Sequence, residues 1–244
     1  MKNDRFFIRF YACLFLSVLF AVCIFAFLPS GGFSSAVAEE LDASAVGVLE
    51  KCCDYADSHP FSTSAYGEVT ARVFGIKYLQ TIYGDRHVNG GEYSERAESV
   101  SSFVKAAIKK SRSGGRYFVS HGAFKRGKAV YPDRKELTES DYLASYGAPP
   151  LGLLKYELDG NILSAKKVGD NEYVYTLDPV KSTVNCAIGV KTMLGGSLPK
   201  YRSVEVVLYT DGAKPIKTVC RERLFVDKFG GVECSATYEE TFRF

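Results

Sequence analysis

The 244 residues carry 31 Lys and Arg against 28 Asp and Glu, a formal charge of +3. Three of those cations and one acid lie in the first 38 residues, so 28 basic against 27 acidic side chains remain beyond them, a balance of +1. Bulk charge therefore excludes a nucleic-acid protein built on a high pI, and the remaining stretch of about 200 residues is long enough for a substantial core.

The N-terminus is a targeting segment. Lys2, Arg5 and Arg9 stand against Asp4, and Phe10 to Leu28 is then free of charge until Pro29-Ser30-Gly31-Gly32. A helix rising about 1.5 Å per residue nearly crosses a hydrocarbon core of ~30 Å over such a run. The basic flank holds its own end in the cytoplasm, so everything after Pro29 is expected outside. Two fates are open: residues 1–38 act either as a signal peptide cleaved after Ala38, at Ala36-Val37-Ala38, or as a retained membrane anchor. The first is favoured by the small-x-small site, the second by an apolar run longer than the ~7–15 residues of a usual signal core. Residues 39–244 are read as one extracytoplasmic domain.

Asp42 caps a predicted helix over 43–57 with Val46, Leu49, Cys53 and Ala56 on one face, stopped by His59-Pro60. Alternating segments follow: Gly67–Val73, Ile76–Ile82, a longer one from Tyr93 to about Ile108, Tyr117–His121 and Ala129–Tyr131. That order predicts an antiparallel meander with one buried face. Thr138 and Asp141 form a capping box for a short helix ending at Gly147, and Pro149-Pro150 interrupts the chain before Leu151, Leu153 and Leu154. Ile162–Val168 and Tyr173–Leu177 pair through Gly169-Asp170. Asp178-Pro179 opens a helix over 179–194 whose core face is Val180, Val184, Ile188 and Met193. Strands at 203–210, 216–227 and 232–242 close the chain.

Beyond Cys13 and Cys23 of the apolar segment lie Cys52, Cys53, Cys186, Cys220 and Cys234. An odd number leaves at least one thiol free, buried or paired with another chain. A bond between neighbours is strained, so Cys52 and Cys53 each look elsewhere. A bridge from either to Cys186 and a set of small buried hydrophobes are the two arrangements left open. No Cys or His spacing suits a metal, and no cofactor is implied.

Catalytic patterns are weak. Ser-x-x-Lys occurs at Ser102/Lys105, Ser164/Lys167 and Ser197/Lys200 without partner motifs. Thr218, Cys220, Arg223 and His121 resemble the Cys/His/Arg set of sortases, but the Thr and Cys are not adjacent and the surroundings of His121 match loosely. Buried strand positions explain Cys220 equally well, so a sortase-like cysteine transpeptidase is the lesser alternative and no catalytic residue is assigned. The chain is expected not to be an enzyme.

From Val100 to Pro132 there is no acid, while Lys105, Lys109, Lys110, Arg112, Arg116, Lys125, Arg126 and Lys128 are all basic. On adjacent strands these would form a positive face for an anionic membrane surface or a cell-wall polyanion, each cation adding ~1 kcal/mol near such a surface. The other reading is a solvated face balanced by acids such as Glu222, Glu233 and Glu239.

Four stretches carry a resemblance: Glu98–Ala106, Tyr146-Gly147-Ala148-Pro149-Pro150, Tyr175-Thr176-Leu177-Asp178-Pro179 and the closing Phe242-Arg243-Phe244. Through them residues 64–244 resemble the LolA-like lipoprotein carriers and cell-envelope lipid binders, specifically an exported Gram-positive branch. The resemblance implies an α+β fold, a strongly curved antiparallel sheet forming an incomplete barrel with helices packed on its concave side. It implies a hydrophobic or lipid-like ligand, or a lipoprotein, between sheet and helices. The missing lipobox departs from the lipid-anchored members. A structural or interaction module of the envelope with a filled core is the alternative.

Overall fold

The computed structural model describes residues 41–73, 76–101, 105–146, 149, 161–181, 200–226 and 232–244. The first element is helix α1 (Ala43–Ser58), opened by Asp42, whose Oδ1 accepts the backbone N–H groups of Ser44 at 2.8 Å and Ala45 at 3.4 Å. Those donors have no partner inside the helix, which is why an acid at this position starts it. The hydroxyl and amide of Ser44 hold the Asp42 carboxyl below its usual pKa. Ala45, Leu49, Cys52 and Ala56 form the buried stripe. The expected stripe included Val46 and Cys53, which are half-buried; the helix is turned so that Cys52 is the inward thiol. Tyr175 donates its hydroxyl to the Ala45 carbonyl at 2.8 Å and fixes that orientation.

Among the described residues, twelve strands follow around one short helix. They are β1 (Phe61–Val73), β2 (Ile76–Asn89), β3 (Glu92–Ser101), β4 (Lys105–Ser113), β5 (Arg116–Lys125), β6 (Lys128–Val130) and β7 (Lys135–Leu137). Helix α2 (Glu139–Tyr146) precedes β8 (Ile162–Gly169), β9 (Glu172–Leu177), β10 (Lys200–Asp211), β11 (Lys214–Val226) and β12 (Val232–Arg243). All strand pairings are antiparallel, in the order β6-β5-β4-β3-β2-β1-β12-β11-β10-β9-β8, with β7 also on β5. The last strand thus lies beside the first, Ser62 opposite Arg243 and Ala71 opposite Cys234. Among the described residues nothing joins β8 to β6 or β7, so the sheet is open.

Several expected boundaries move. The segment read as one run from Tyr93 to Ile108 is two strands, β3 and β4, with residues 102–104 outside the described set. β2 continues past Ile82 to Asn89, and β1 begins at Phe61 rather than Gly67. Alternation is obscured there because the inward positions of β2 include Gln80, Gly84 and Arg86 as well as apolar residues. The β4–β5 turn uses Gly114 and Gly115, both at positive φ (56° and 75°), a backbone state that costs side-chain-bearing residues energy. Thr138 caps α2 as expected, its Oγ1 accepting from Asp141 N at 3.1 Å, and Asp178 Oδ1 accepts from Val180 N and Lys181 N. The 1–38 segment with its Ala38 site, the turn expected at Leu151–Leu154, Cys186 and the part of the expected 179–194 helix beyond Lys181 lie outside the described residues.

Register assigns the faces. Residues directly opposite one another point to the same side of a sheet, and the chain of partners Tyr175, Val206, Cys220, Tyr238, Gly67, Ile82 and Ser99 crosses the molecule. Tyr93 shares that face with Ser99, and Arg112 and Tyr117 lie opposite it in turn. Both helices therefore pack on one face. Under α1 lie Ala165, Tyr175, Leu177, Val204 and Val206; under α2 lie Tyr93, Tyr117 and Val119, with Phe61, Val88 and Phe242 between. This face is not uniformly apolar: Arg86 pairs with Glu240 and Lys110 with Glu95, each at 2.8 Å, and Glu222 is buried. No described helix is long and apolar enough to cross a membrane.

Candidate functional site

The face opposite the helices carries a different chemistry. Two rows of side chains cross it at right angles to the strands. One runs Arg243, Ser62, His87, Ser94, Ser111 and Phe118 from β12 to β5. The next, two residues along each strand, runs Ser64, Asp85, Arg96, Lys109 and Ser120. Short hydroxyl side chains leave the floor low, and a groove of about 550 Å³ opens over it, with Arg134 at its side. That volume is in the range of small-ligand sites, about 300–1,000 Å³.

The cations differ in their partners. Arg96 is bonded to Asp85, and its Nε lies 3.9 Å from Glu98 Oε1. Lys109 Nζ lies 4.5 Å from the centroid of the Tyr131 ring, and the Arg134 guanidinium 3.7 Å from that of Phe118. Such contacts orient a cation without neutralising it. Among the described residues no carboxylate is within salt-bridge distance of Lys109, Arg134 or Arg243. Tyr131 lies against the sheet because position 122 is glycine: a Cβ there would fall 2.9 Å from the ring and 2.7 Å from Ala107 Cβ. Burial, then the Glu98 carboxylate, pushes the Tyr131 phenol up to about 12.

Beside the groove, Tyr66 and Tyr83 sit opposite each other on β1 and β2, two residues from Ser64 and Asp85. Their ring centroids are 5.4 Å apart, and both rings are exposed, at 43% and 49%.

The eight basic residues between Val100 and Pro132 do not share one face. Strand alternation splits them: Lys109 lies in the groove, whereas Lys110 and Arg112 point to the helix side. There Lys110 meets Glu95, and Arg112 donates to the Gly91 carbonyl at 2.9 Å. Arg116 stands at the β4–β5 turn, 3.7 Å from Glu136. Lys105 is exposed at the start of β4, and Lys125, Arg126 and Lys128 at the β5–β6 turn. The acids named as balancing them are elsewhere: Glu222 is buried, Glu233 meets Arg202 and Glu239 meets Lys217. Arg96, Arg134 and Arg243, which do surround the groove, lie outside that block. The signal that points to them is serine at alternate positions, Ser62 and Ser64, followed at the same period by Ser94 and Arg96.

The sortase-like trio is not assembled. Cys220 is on β11 and His121 on β5, with β4, β3, β2, β1 and β12 between them. Cys220 donates to Glu222 Oε1 at 3.5 Å and His121 hydrogen-bonds Tyr146 at 3.2 Å. Arg223, three residues along a strand from Cys220, points to the other face. For the same reason Ser164 and Lys167 of β8 face opposite ways. His87 lies between Ser62 and Ser94 without a hydrogen bond to either, so the residue types of a hydrolase are present without the required contact. Among the described residues no group of three or more His, Cys, Asp or Glu is placed to hold a metal. Cys52, on the buried face of α1, has its thiol pushed up to about 12 by desolvation and by neighbouring Cys53.

No protein-family model and no curated protein matches the chain. Among solved structures it is similar to the Pseudomonas aeruginosa MucA/MucB complex, at 12% identity and TM-score 0.17, over 80% of this chain and 93% of that one. It is likewise similar to MucB in complex with MucA(peri), at 13% identity and TM-score 0.17, over 82% and 98%. Scores this low carry no weight for fold or partner.

Proposed function

We propose that this is an exported, non-enzymatic module of the cell envelope that holds an anionic ligand in the groove opposite its helices. The observation behind the reading is that Lys109, Arg134 and Arg243 surround a serine floor with no carboxylate partner among the described residues, in a domain whose bulk charge is nearly balanced. A guanidinium offers a planar fork to phosphate or carboxylate, and a serine hydroxyl both donates and accepts. The export segment of residues 1–38 supplies the location, tethered at the membrane or released after Ala38, where anionic headgroups and cell-wall polymers are the available anions. The acyl ligand implied by the LolA-like resemblance needs an apolar space on the helix side. In the described part of that face, ion pairs and the packed tyrosines weigh against it.

The test is titration of the folded domain with polyphosphate at low and at moderate salt. Saturable binding that weakens steeply with salt, and falls at least about tenfold in K109A/R134A/R243A, supports the reading. Absence of binding at low salt overturns it. Saturable uptake of a fluorescent fatty acid without polyphosphate binding would move the function to a hydrophobic ligand.

A further inference from the structure

Resting on that anionic-ligand reading, we infer that the groove and its tyrosine shoulder together take an anionic polysaccharide laid across the strands. Three features of the site set this chemistry apart from a single small anion. The first is length. From Arg243 to Phe118 the row crosses five strand intervals, roughly 24 Å at about 4.8 Å each. The cations at its two ends, Arg243 beside Ser62 and Arg134 over Phe118, are thus too far apart to close on one phosphate or carboxylate.

The second feature is the floor. Between those ends the row presents Ser62, Ser94 and Ser111, side chains that exchange hydrogen bonds with polyol hydroxyls and add no charge. A ligand with charge throughout would use these serines as donors alone; one whose charged groups are separated by hydroxyl-bearing units also uses their acceptor lone pairs. The third is the shoulder. Tyr66 and Tyr83 leave ring surface exposed next to the second row, beside Ser64 and Asp85 and diagonal to Arg96, with the Tyr66 hydroxyl donating to Glu68 Oε1 at 2.5 Å. The C–H face of a sugar ring packs on the electron-rich face of an aromatic ring, which a bare polyphosphate cannot do. Recurrent anion, hydroxyls and an apolar ring face belong together in an acidic glycan.

Polygalacturonate, polyphosphate of similar charge and a neutral dextran serve as probes, with the domain, Y66A/Y83A and Y66F/Y83F as proteins. Folding of each variant is checked by circular dichroism; both rings are exposed, so their removal leaves the core intact. The expected result is binding of polygalacturonate and none of dextran. Y66A/Y83A should weaken polygalacturonate about tenfold, the scale of two aromatic contacts, with polyphosphate unchanged, and Y66F/Y83F should retain it. Equal losses for both polyanions, or no loss for either, overturns the inference. Binding of polyphosphate but not polygalacturonate also overturns it while leaving the anionic groove standing. Failure of both polyanions removes the groove itself as the site.

Discussion

Arg86 of β2 and Glu240 of β12 are joined at 2.8 Å across the intervening strand β1, although 154 positions separate them in the chain. The pair sits on the helix-bearing face with the Arg86 side chain only 7% exposed, and the guanidinium also lies 5.3 Å from the centroid of the Phe61 ring. It ties the first hairpin to the last strand. Arg86→Ala leaves the Glu240 carboxylate, 23% exposed, without this partner and should cost about 2 kcal/mol. Arg86→Met with Glu240→Leu should cost less than the single change, as read from urea unfolding midpoints.

The hydroxyls of Tyr93 and Tyr142 are hydrogen-bonded between β3 and α2, with Tyr142 fully buried and its ring 4.7 Å from that of Tyr117. Tyr142→Phe deprives the Tyr93 hydroxyl of this partner and should cost about 1–2 kcal/mol. The double change with Tyr93→Phe should cost little more than either single one. A double-mutant cycle by denaturant unfolding measures this directly.

The same tyrosines predict alkaline instability. Burial holds the Tyr142 phenol up at about 12 and pushes Tyr93 and Tyr175 upward as well, against an ordinary value of 10. Above pH 10 the unfolded chain releases these protons while the folded protein keeps them, so the folded state binds more protons and stability falls as pH rises. Below pH 10 this contribution is fully present. Urea midpoints should be insensitive to these groups up to about pH 10 and then decline, less steeply in Tyr142→Phe.

Gly122→Ala should destabilise by about 1–2 kcal/mol, because the new Cβ overlaps Ala107 and the Tyr131 ring. It should also weaken polyphosphate binding by moving Tyr131 from beneath Lys109. Gly84→Ala is the control: its Cβ would find nothing nearer than 3.4 Å. Loss of unfolded-state freedom should make that change neutral or slightly stabilising. Thermal melts of the two variants separate the cases.

Cys52 should resist alkylation by iodoacetamide at pH 8 in the folded protein and react on unfolding, since only the thiolate attacks and burial keeps it protonated. Peptide mapping in a Cys53→Ser background reads the site cleanly. Labelling of Cys52 in the native state would show that α1 opens from the sheet.

The caps and turns were legible because each is local. Asp42, Thr138 and Asp178 satisfy amides two or three residues away, and Gly169-Asp170 turns β8 into β9. β2 was cut short because its inward row runs through Gln80, Gly84 and Arg86, whose burial depends on partners in other strands. The Val100–Pro132 basic block was visible as a run, but a run along a strand is divided between two faces, and that division dispersed it.

The chain by itself determined an antiparallel sheet-rich domain with short capped helices and a nearly balanced charge, since these follow from composition and from contacts within a few residues. Only the tertiary structure decided which side chains share a surface. The β12–β1 pairing sets Arg243 beside Ser62, and successive registers carry the serine row on to Phe118. No local pattern encodes that row, because a displacement of one residue in any register would send its side chains to the opposite face.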